Sequence, residues 1–231
     1  MRVNIAVRDR EQNDSRSART VYIDKIHVTH KPAYEALKRT FDIISSLLAL
    51  ILFSPLMLIV ALAVFLQDFH SPFFAQTRLT KDGKEFKMFK FRSMCVDAEE
   101  KLSELRELNE ADGPVFKIEN DPRITRIGRF IRRTSMDELP QLINILTGSM
   151  SVVGPRPPLP SEVAQYSSYQ MHRLDVKSGL TCYWQCSGRS NIGFDEWVDL
   201  DIQYIKERSL TTDLKIILKT IKAVIKKDGA E

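Results

Sequence analysis

The chain has 231 residues, of which 28% are charged, with a formal net charge of +4. That is room for one soluble domain of ordinary size, and the modest positive charge, clustered around residues 38–39, 78–92 and 123–133, suits an anionic surface or phosphate-bearing ligands better than duplex nucleic acid. Cys95, Cys182 and Cys186 are odd in number and have no histidine nearby to complete a zinc site, so reduced thiols in a cytosolic domain are expected.

Residues 1–30 are polar and of mixed charge, with two short alternating pieces, Val3 to Val7 and Val21 to Val28, that read as a pair of strands in an accessory extension closed by Pro32. Lys38-Arg39-Thr40-Phe41-Asp42 then leads into Ile43 to Leu66, 24 residues without a charge, sixteen of them Leu, Ile, Val or Phe. At about -0.3 to -0.6 kcal/mol for each of those sixteen, the run favours a bilayer by about 5 to 10 kcal/mol, more than the roughly 3 kcal/mol that a proline costs inside a helix. Straight, it would reach about 36 Å and cross a hydrocarbon core of about 30 Å. Its flanks argue against crossing. Lys38 and Arg39 precede it, and Arg78, Lys81, Lys84, Lys87, Lys90 and Arg92 follow it, so both ends read as cytoplasmic. Ser54-Pro55 at mid-run predicts a re-entrant helix-turn-helix, in which the serine hydroxyl satisfies a carbonyl freed by the proline. A plain spanning anchor with a kink is the other reading. Asp42, close to hydrocarbon, requires a partner, either the adjacent cations or Ser54.

Beyond Ser71-Pro72 the chain leaves the membrane. Glu85 to Phe91 alternates as a short strand. Asp97 to Asp112 reads as an acidic helix over a stripe of Leu102, Leu105 and Leu108, and Gly113-Pro114 and Asn120-Asp121-Pro122 as turns. Arg123 to Arg133 places Ile124, Ile127, Phe130 and Ile131 on one helical face with five arginines around them, the pattern of an interfacial helix. An apolar helix, Leu142 to Leu146, is stopped by Gly148. Val152-Val153-Gly154-Pro155-Arg156-Pro157-Pro158 is a rigid loop holding one guanidinium. Tyr183-Trp184-Gln185 lies in a second loop system that ends at Arg189. Asp213 to Lys227 is amphipathic, Leu214, Ile217, Leu218, Ile221, Val224 and Ile225 against four lysines, and reads equally as an interfacial or a core-packing helix.

Asp137-Glu138 is the carboxylate pair set between an arginine-rich helix and an apolar one. Ser135-x-x-Glu138 fits a capping box, which needs no function. Pro140 conflicts with it, because a helix capped at Ser135 would carry proline beyond its first turn. A helix starting at Asp137 avoids the conflict and puts both carboxylates at its N-terminus. Arg132, Arg156 and Arg189 are candidate phosphate forks. Two carboxylates among arginines beside a membrane suit a Mg2+-assisted phosphoryl transfer to a lipid. A reading of a different class is a membrane-bound scaffold that holds anionic lipid headgroups with the same arginines.

Six motifs occur together and in order: Ser54-Pro55, Lys90-Phe91-Arg92-Ser93-Met94, Asn120-Asp121-Pro122-Arg123, Ser135-Met136-Asp137-Glu138-Leu139-Pro140-Gln141, Gly154-Pro155-Arg156-Pro157 and Gln185-x-x-Gly188-Arg189. Over about residues 36 to 227 the chain resembles the bacterial sugar transferases, the monotopic polyprenyl-phosphate phosphoglycosyl transferases. The resemblance implies an α/β fold, mostly helical with a small sheet: an accessory extension (1–35), a re-entrant membrane helix (36–70) and a compact cytosolic catalytic domain with interfacial amphipathic helices (71–231). It implies transfer of a sugar 1-phosphate from a UDP-sugar to undecaprenyl phosphate with release of UMP, at the cytoplasmic face of the bacterial inner membrane, against membrane phospholipid and without nucleic acid. It leaves homo-oligomer formation open. Asp137 matches the nucleophile and Glu138 its dyad partner, with Mg2+ at the pair, while Lys90, Arg156, Arg189 and Asp213 match further active-site positions. Ser178 and Cys182 stand where proline and glycine are usual, and Thr80 where glycine is common, which bears on the loop before Arg189 and on substrate preference.

Overall fold

The computed structural model describes residues 31–186 and 192–226. The two strands expected before residue 30, and Arg189, lie outside them. The described chain is mostly helical, with two small two-stranded sheets.

The apolar run belongs to α1, Pro32–Asp68, 37 residues with proline at its start and a left-handed Phe69 ending it. At 1.5 Å per residue it would be about 55 Å long if straight. Pro55 has no N–H to offer the carbonyl of Ile51, four residues back, and the Ser54 hydroxyl donates to that carbonyl at 2.8 Å. The expected role of the serine is therefore met. The expected helix-turn-helix is one helix instead: no residue of α1 takes a left-handed conformation, because the serine supplies the missing donor and helical geometry continues through the proline.

Both ends of α1 are fastened to the rest of the molecule. Near its start, Lys38 Nζ donates to Asp213 at 2.8 Å, and the Arg39 guanidinium donates to the Ile145 and Leu146 carbonyls at 2.6 and 2.7 Å. Asp42, 2% exposed, accepts from the amide of Val152 at 3.0 Å, so its partner is neither the flanking cations nor Ser54 but a backbone donor 110 residues away. At the other end Asp68 receives a two-pronged bond from Arg92, 2.6 Å on each prong. Between the clamps Ala49 and Leu50 pack on a cluster of Met88, Leu142, Ile145 and Met150, and Val60 and Val64 on Phe91 and Ile131. Residues 51–55 are exposed on every side, and Leu48, Leu52, Leu58 and Ile59 present an uncovered apolar face.

Strands β1, Phe73–Leu79, and β2, Glu85–Phe91, form an antiparallel hairpin in which Phe74 faces Lys90. The bounds of β2 are those expected; β1 went unread. Only a fragment of the acidic helix exists: α2, Leu102–Leu105, and one 3₁₀ turn, Arg106–Leu108, with no buried residue in α2 and Leu108 exposed. Asn109 ends it, its side-chain oxygen accepting from the amides of Ala111 and Lys117. The arginine-rich helix α3 spans Arg126–Arg133, three residues later than expected, because Thr125 caps it by accepting from Gly128 N at 2.9 Å. Arg123 lies outside it, buried and paired with Asp121 at 2.6 Å.

Next come α4, Gln141–Thr147, closed by Gly148 at φ 93, and β3, Ser151–Val153. After α5, Pro160–Val163, strand β4, Gly179–Thr181, runs parallel to β3. A Cβ on Gly179 would fall 2.0 Å from the Gly154 nitrogen, so only glycine lets the two segments meet. The chain then forms α6, Phe194–Glu207, and α7, Leu210–Lys226. Helix α7 docks through Asp213, Ile216, Ile217 and Thr220, leaving Leu214, Leu218, Ile221 and Val224 exposed. Most of its apolar stripe faces away from the core, which favours the interfacial reading.

Candidate active site

Asp137 and Glu138 sit on a 3₁₀ turn, Met136–Glu138, entered through a left-handed Ser135 at φ 54. Neither sequence-based account of this turn holds. Ser135 makes no capping bond, and α4 begins at Gln141 with Pro140 as its N-cap, not at Asp137. Proline can precede a helix at no cost because it lacks only a donor that a first turn does not use. The carboxylates therefore precede α4 on a turn of their own.

Three elements deliver the cations around them. Lys90, near the end of β2, places Nζ 3.0 Å from Glu138 Oε1 and 3.6 Å from Asp137 Oδ2. Arg132, in the last turn of α3, is oriented by a 2.9 Å bond from Nε to Ser93 Oγ. Arg156 projects from the proline-rich loop, its guanidinium 5.4 Å from the centre of the Trp197 ring on α6. All five residues line one cleft of about 830 Å³, together with Phe116, Trp184 and Trp197.

Two buried arginines brace the Arg156 loop. Arg78 Nη1 donates to the Pro157 carbonyl at 3.0 Å, and Arg173 Nη2 to the Arg156 carbonyl at 3.4 Å. Arg173 is itself held by Asp201 at 2.8 Å and by the Tyr166 hydroxyl, with Trp197 packed over it. Sequence reasoning took Arg78 only as a flanking positive charge and missed Arg173 and Asp201, since a charged residue carries no sign of burial in the sequence. Burial pushes Asp201 up to about 6 against the pull of Arg173.

Asp137 is 7% exposed, and burial pushes its carboxyl above the usual carboxylate range; Lys90 draws it back, Glu138 pushes it up again, and Arg132 opposes. Among the described residues no group of three or more His, Cys, Asp or Glu could hold a metal. Two carboxylates do fit Mg2+, which keeps most of its shell for water and substrate phosphate oxygens.

The structure does not bring Asp213 to this site. It lies buried at the start of α7, bonded to Lys38, to Tyr34 at 2.9 Å and to Tyr204 at 2.9 Å. The departures Ser178 and Thr80 meet: Ser178 N donates to Thr80 Oγ1 at 3.2 Å, a bond that a proline at 178 could not make. Cys182 is fully buried, its thiol donating to Gln185 Oε1 at 3.4 Å.

A family profile described as Bacterial sugar transferase matches residues 33–227. The chain belongs to the bacterial sugar transferase family. Among curated relatives of this sugar transferase, it is 45% identical over 208 residues to galactosyl transferase CpsE of Streptococcus agalactiae, an alignment covering 87% of the chain and 45% of that protein. It is 42% identical over 197 residues to exopolysaccharide production protein ExoY of Rhizobium meliloti, covering 84% and 87%. With the UDP-glucose:undecaprenyl-phosphate glucose-1-phosphate transferase of Escherichia coli it shares 42% identity over 193 residues, covering 80% and 39%. The chain thus spans about half the length, or less, of several curated relatives and most of the length of ExoY.

Proposed function

We propose that the protein transfers a sugar 1-phosphate from a UDP-sugar to undecaprenyl phosphate, releasing UMP, through a covalent intermediate on Asp137. The observation that carries this is a nearly buried carboxylate at a cleft into which Lys90, Arg132 and Arg156 bring cations suited to a diphosphate. A headgroup-binding scaffold would have no use for a carboxylate that its own surroundings make costly to ionise. Relatives named for undecaprenyl-phosphate galactose and glucose 1-phosphate transfer support the substrate class.

In the first step an Asp137 oxygen bonds to the β-phosphorus and the bond from that phosphorus to the bridging oxygen breaks, so UMP leaves with the electron pair. In the second, an oxygen of the lipid phosphate bonds to the same phosphorus and the acyl-phosphate bond breaks, restoring Asp137. Lys90 and the two arginines offset the repulsion between carboxylate and phosphoryl oxygens, while the proline-rich loop fixes where Arg156 delivers its charge. Asp137 and Glu138 would hold Mg2+, which supplies charge neutralisation at the diphosphate when bound. Enzyme incubated with UDP-sugar and no lipid should show, by intact-protein mass spectrometry, a hexose-phosphate adduct on the peptide containing Asp137. An adduct on Glu138 would reverse the two roles, and intersecting-line kinetics without any adduct would mean direct transfer in a ternary complex. Chelation by EDTA should abolish turnover and added Mg2+ restore it; full activity in chelator excludes the metal.

The same proposal places the protein at the cytoplasmic face of the inner membrane, with the single helix α1 bending at Ser54-Pro55 so that its middle enters one leaflet while both ends stay on the domain. Support comes from the clamps: a helix crossing the bilayer would carry one end out of reach of the domain, yet Lys38 and Asp68 are both held by it. The exposed faces of α1, Phe130 on α3 and Leu214 and Leu218 on α7 supply apolar surface for the membrane. Single cysteines at the exposed positions Ala36 and Lys81, in a background without Cys95, Cys182 and Cys186, should both resist an impermeant thiol reagent in intact cells. Labelling at 81 alone means a spanning helix.

A further inference from the structure

The cleft has an aromatic end that the phosphoryl chemistry does not use. Trp184 and Trp197 are the only two tryptophans in the chain, and both line it, with Phe116 and Phe194 beside them. Their ring centroids are 4.2 Å apart at an interplanar angle of 48°, neither offset-stacked nor edge-on and closer than aromatic pairs prefer. The indole N–H of Trp184, a residue 7% exposed, is buried with no acceptor among the described residues. A donor left in this state is rare in a finished arrangement and points to a missing partner.

From this geometry we infer that Trp184 and Trp197 form the seat of the nucleotide's uracil base, Trp184 moving off Trp197 so that the flat ring stacks on indole and a ring carbonyl accepts from the Trp184 N–H. The inference rests on the nucleotide-sugar reading above. What selects the base over the sugar is Arg156, which lies over Trp197 and also lines the cleft shared with Asp137. In a UDP-sugar the sugar is bonded directly to the phosphorus that Asp137 attacks, whereas the nucleoside is separated from it by one further phosphate. An aromatic wall that carries an arginine on its face, beside the nucleophile's cleft, matches the nucleoside side, with Arg156 taking the intervening α-phosphate. Stacking on indole suits a planar pyrimidine and tolerates any sugar beyond it.

Because both tryptophans sit in the cleft, the emission of the full-length protein in lipid nanodiscs reports on this end alone. UMP should quench it saturably, with ribose 5-phosphate, a hexose 1-phosphate and pyrophosphate leaving it unchanged. Quenching by hexose 1-phosphate but not UMP assigns the wall to the sugar and overturns the inference, as does an equal response to pyrophosphate or no response to any of the four. Trp184→Leu should raise the KM for the UDP-sugar about tenfold with a smaller change in kcat, and Trp184→Phe, which keeps a stacking face, should recover most of the loss. UMP quenching in a protein that releases UMP from no UDP-sugar would defeat the proposed reaction and leave the base site standing. Turnover with an unaltered KM in Trp184→Leu would defeat the base site alone.

Discussion

Asp137→Asn is expected to lower turnover by at least about 10³-fold while leaving membrane association intact, because the amide keeps the shape of the carboxylate and cannot bond to phosphorus. The same substitution is expected to raise the melting temperature at neutral pH. Burial, with Glu138 adding to it, holds the Asp137 pKa above its unfolded value. A group shifted upward contributes stability that is complete below its unfolded pKa and is lost as pH rises through the folded one, so above the unfolded pKa the carboxyl weakens the fold, whether by taking up a proton or by holding a buried charge. Asparagine removes that charge. Thermal unfolding of the two proteins at neutral pH tests the sign; a lower melting temperature for the variant would mean that Lys90 and Arg132 overcompensate the burial. For the wild type, activity should rise with pH through the folded pKa, since only the carboxylate attacks.

Lys90→Met carries the second large expectation, a fall of about 10²-fold in kcat/KM at neutral pH together with displacement of the acidic limb of the pH–rate profile to higher pH. Lys90 is the largest influence holding the Asp137 pKa down and is bonded to Glu138 as well. Removing it leaves two adjacent carboxylates with Arg132 as the remaining cation that acts on Asp137. Lys90→Arg should keep the position of the limb while losing part of the rate, because charge is retained and the contact distances are not. A profile that moves down without moving sideways would show that Lys90 binds substrate and does not tune the nucleophile.

The residues of the cleft were legible in the sequence where chemistry and backbone grammar coincide. Asp137 and Glu138 stood out because Pro140 forbade the capping reading, and Arg156 because prolines on either side immobilise it. The start of α4 was misplaced by four residues, since a proline permits both an N-cap and a first-turn position. Asp213 was expected in the active site and is instead a partner of Lys38, a pairing across 175 residues that no local pattern announces. The leucines at 102, 105 and 108 recur three residues apart, yet Asn109 ends the helix with its side chain and Leu108 stays in the open. Arg173 and Asp201 were invisible for the opposite reason: each looks like a surface charge, and only the fold reveals that they neutralise one another in the interior.

The clamps on α1 also fix when this molecule can be finished. The apolar helix leaves the ribosome early, but Lys38 waits for Asp213, which emerges 175 residues later. At roughly 5 to 20 residues per second that is an interval of roughly 9 to 35 s. Throughout it the nascent segment must be sheltered, by lipid or by a chaperone, with Arg39 and Asp42 lacking the backbone groups they will hold until residues 145–152 have been made. Docking of α1 is therefore among the last events of biogenesis, and a chain truncated before α7 would reach the bilayer with one of its fastenings missing.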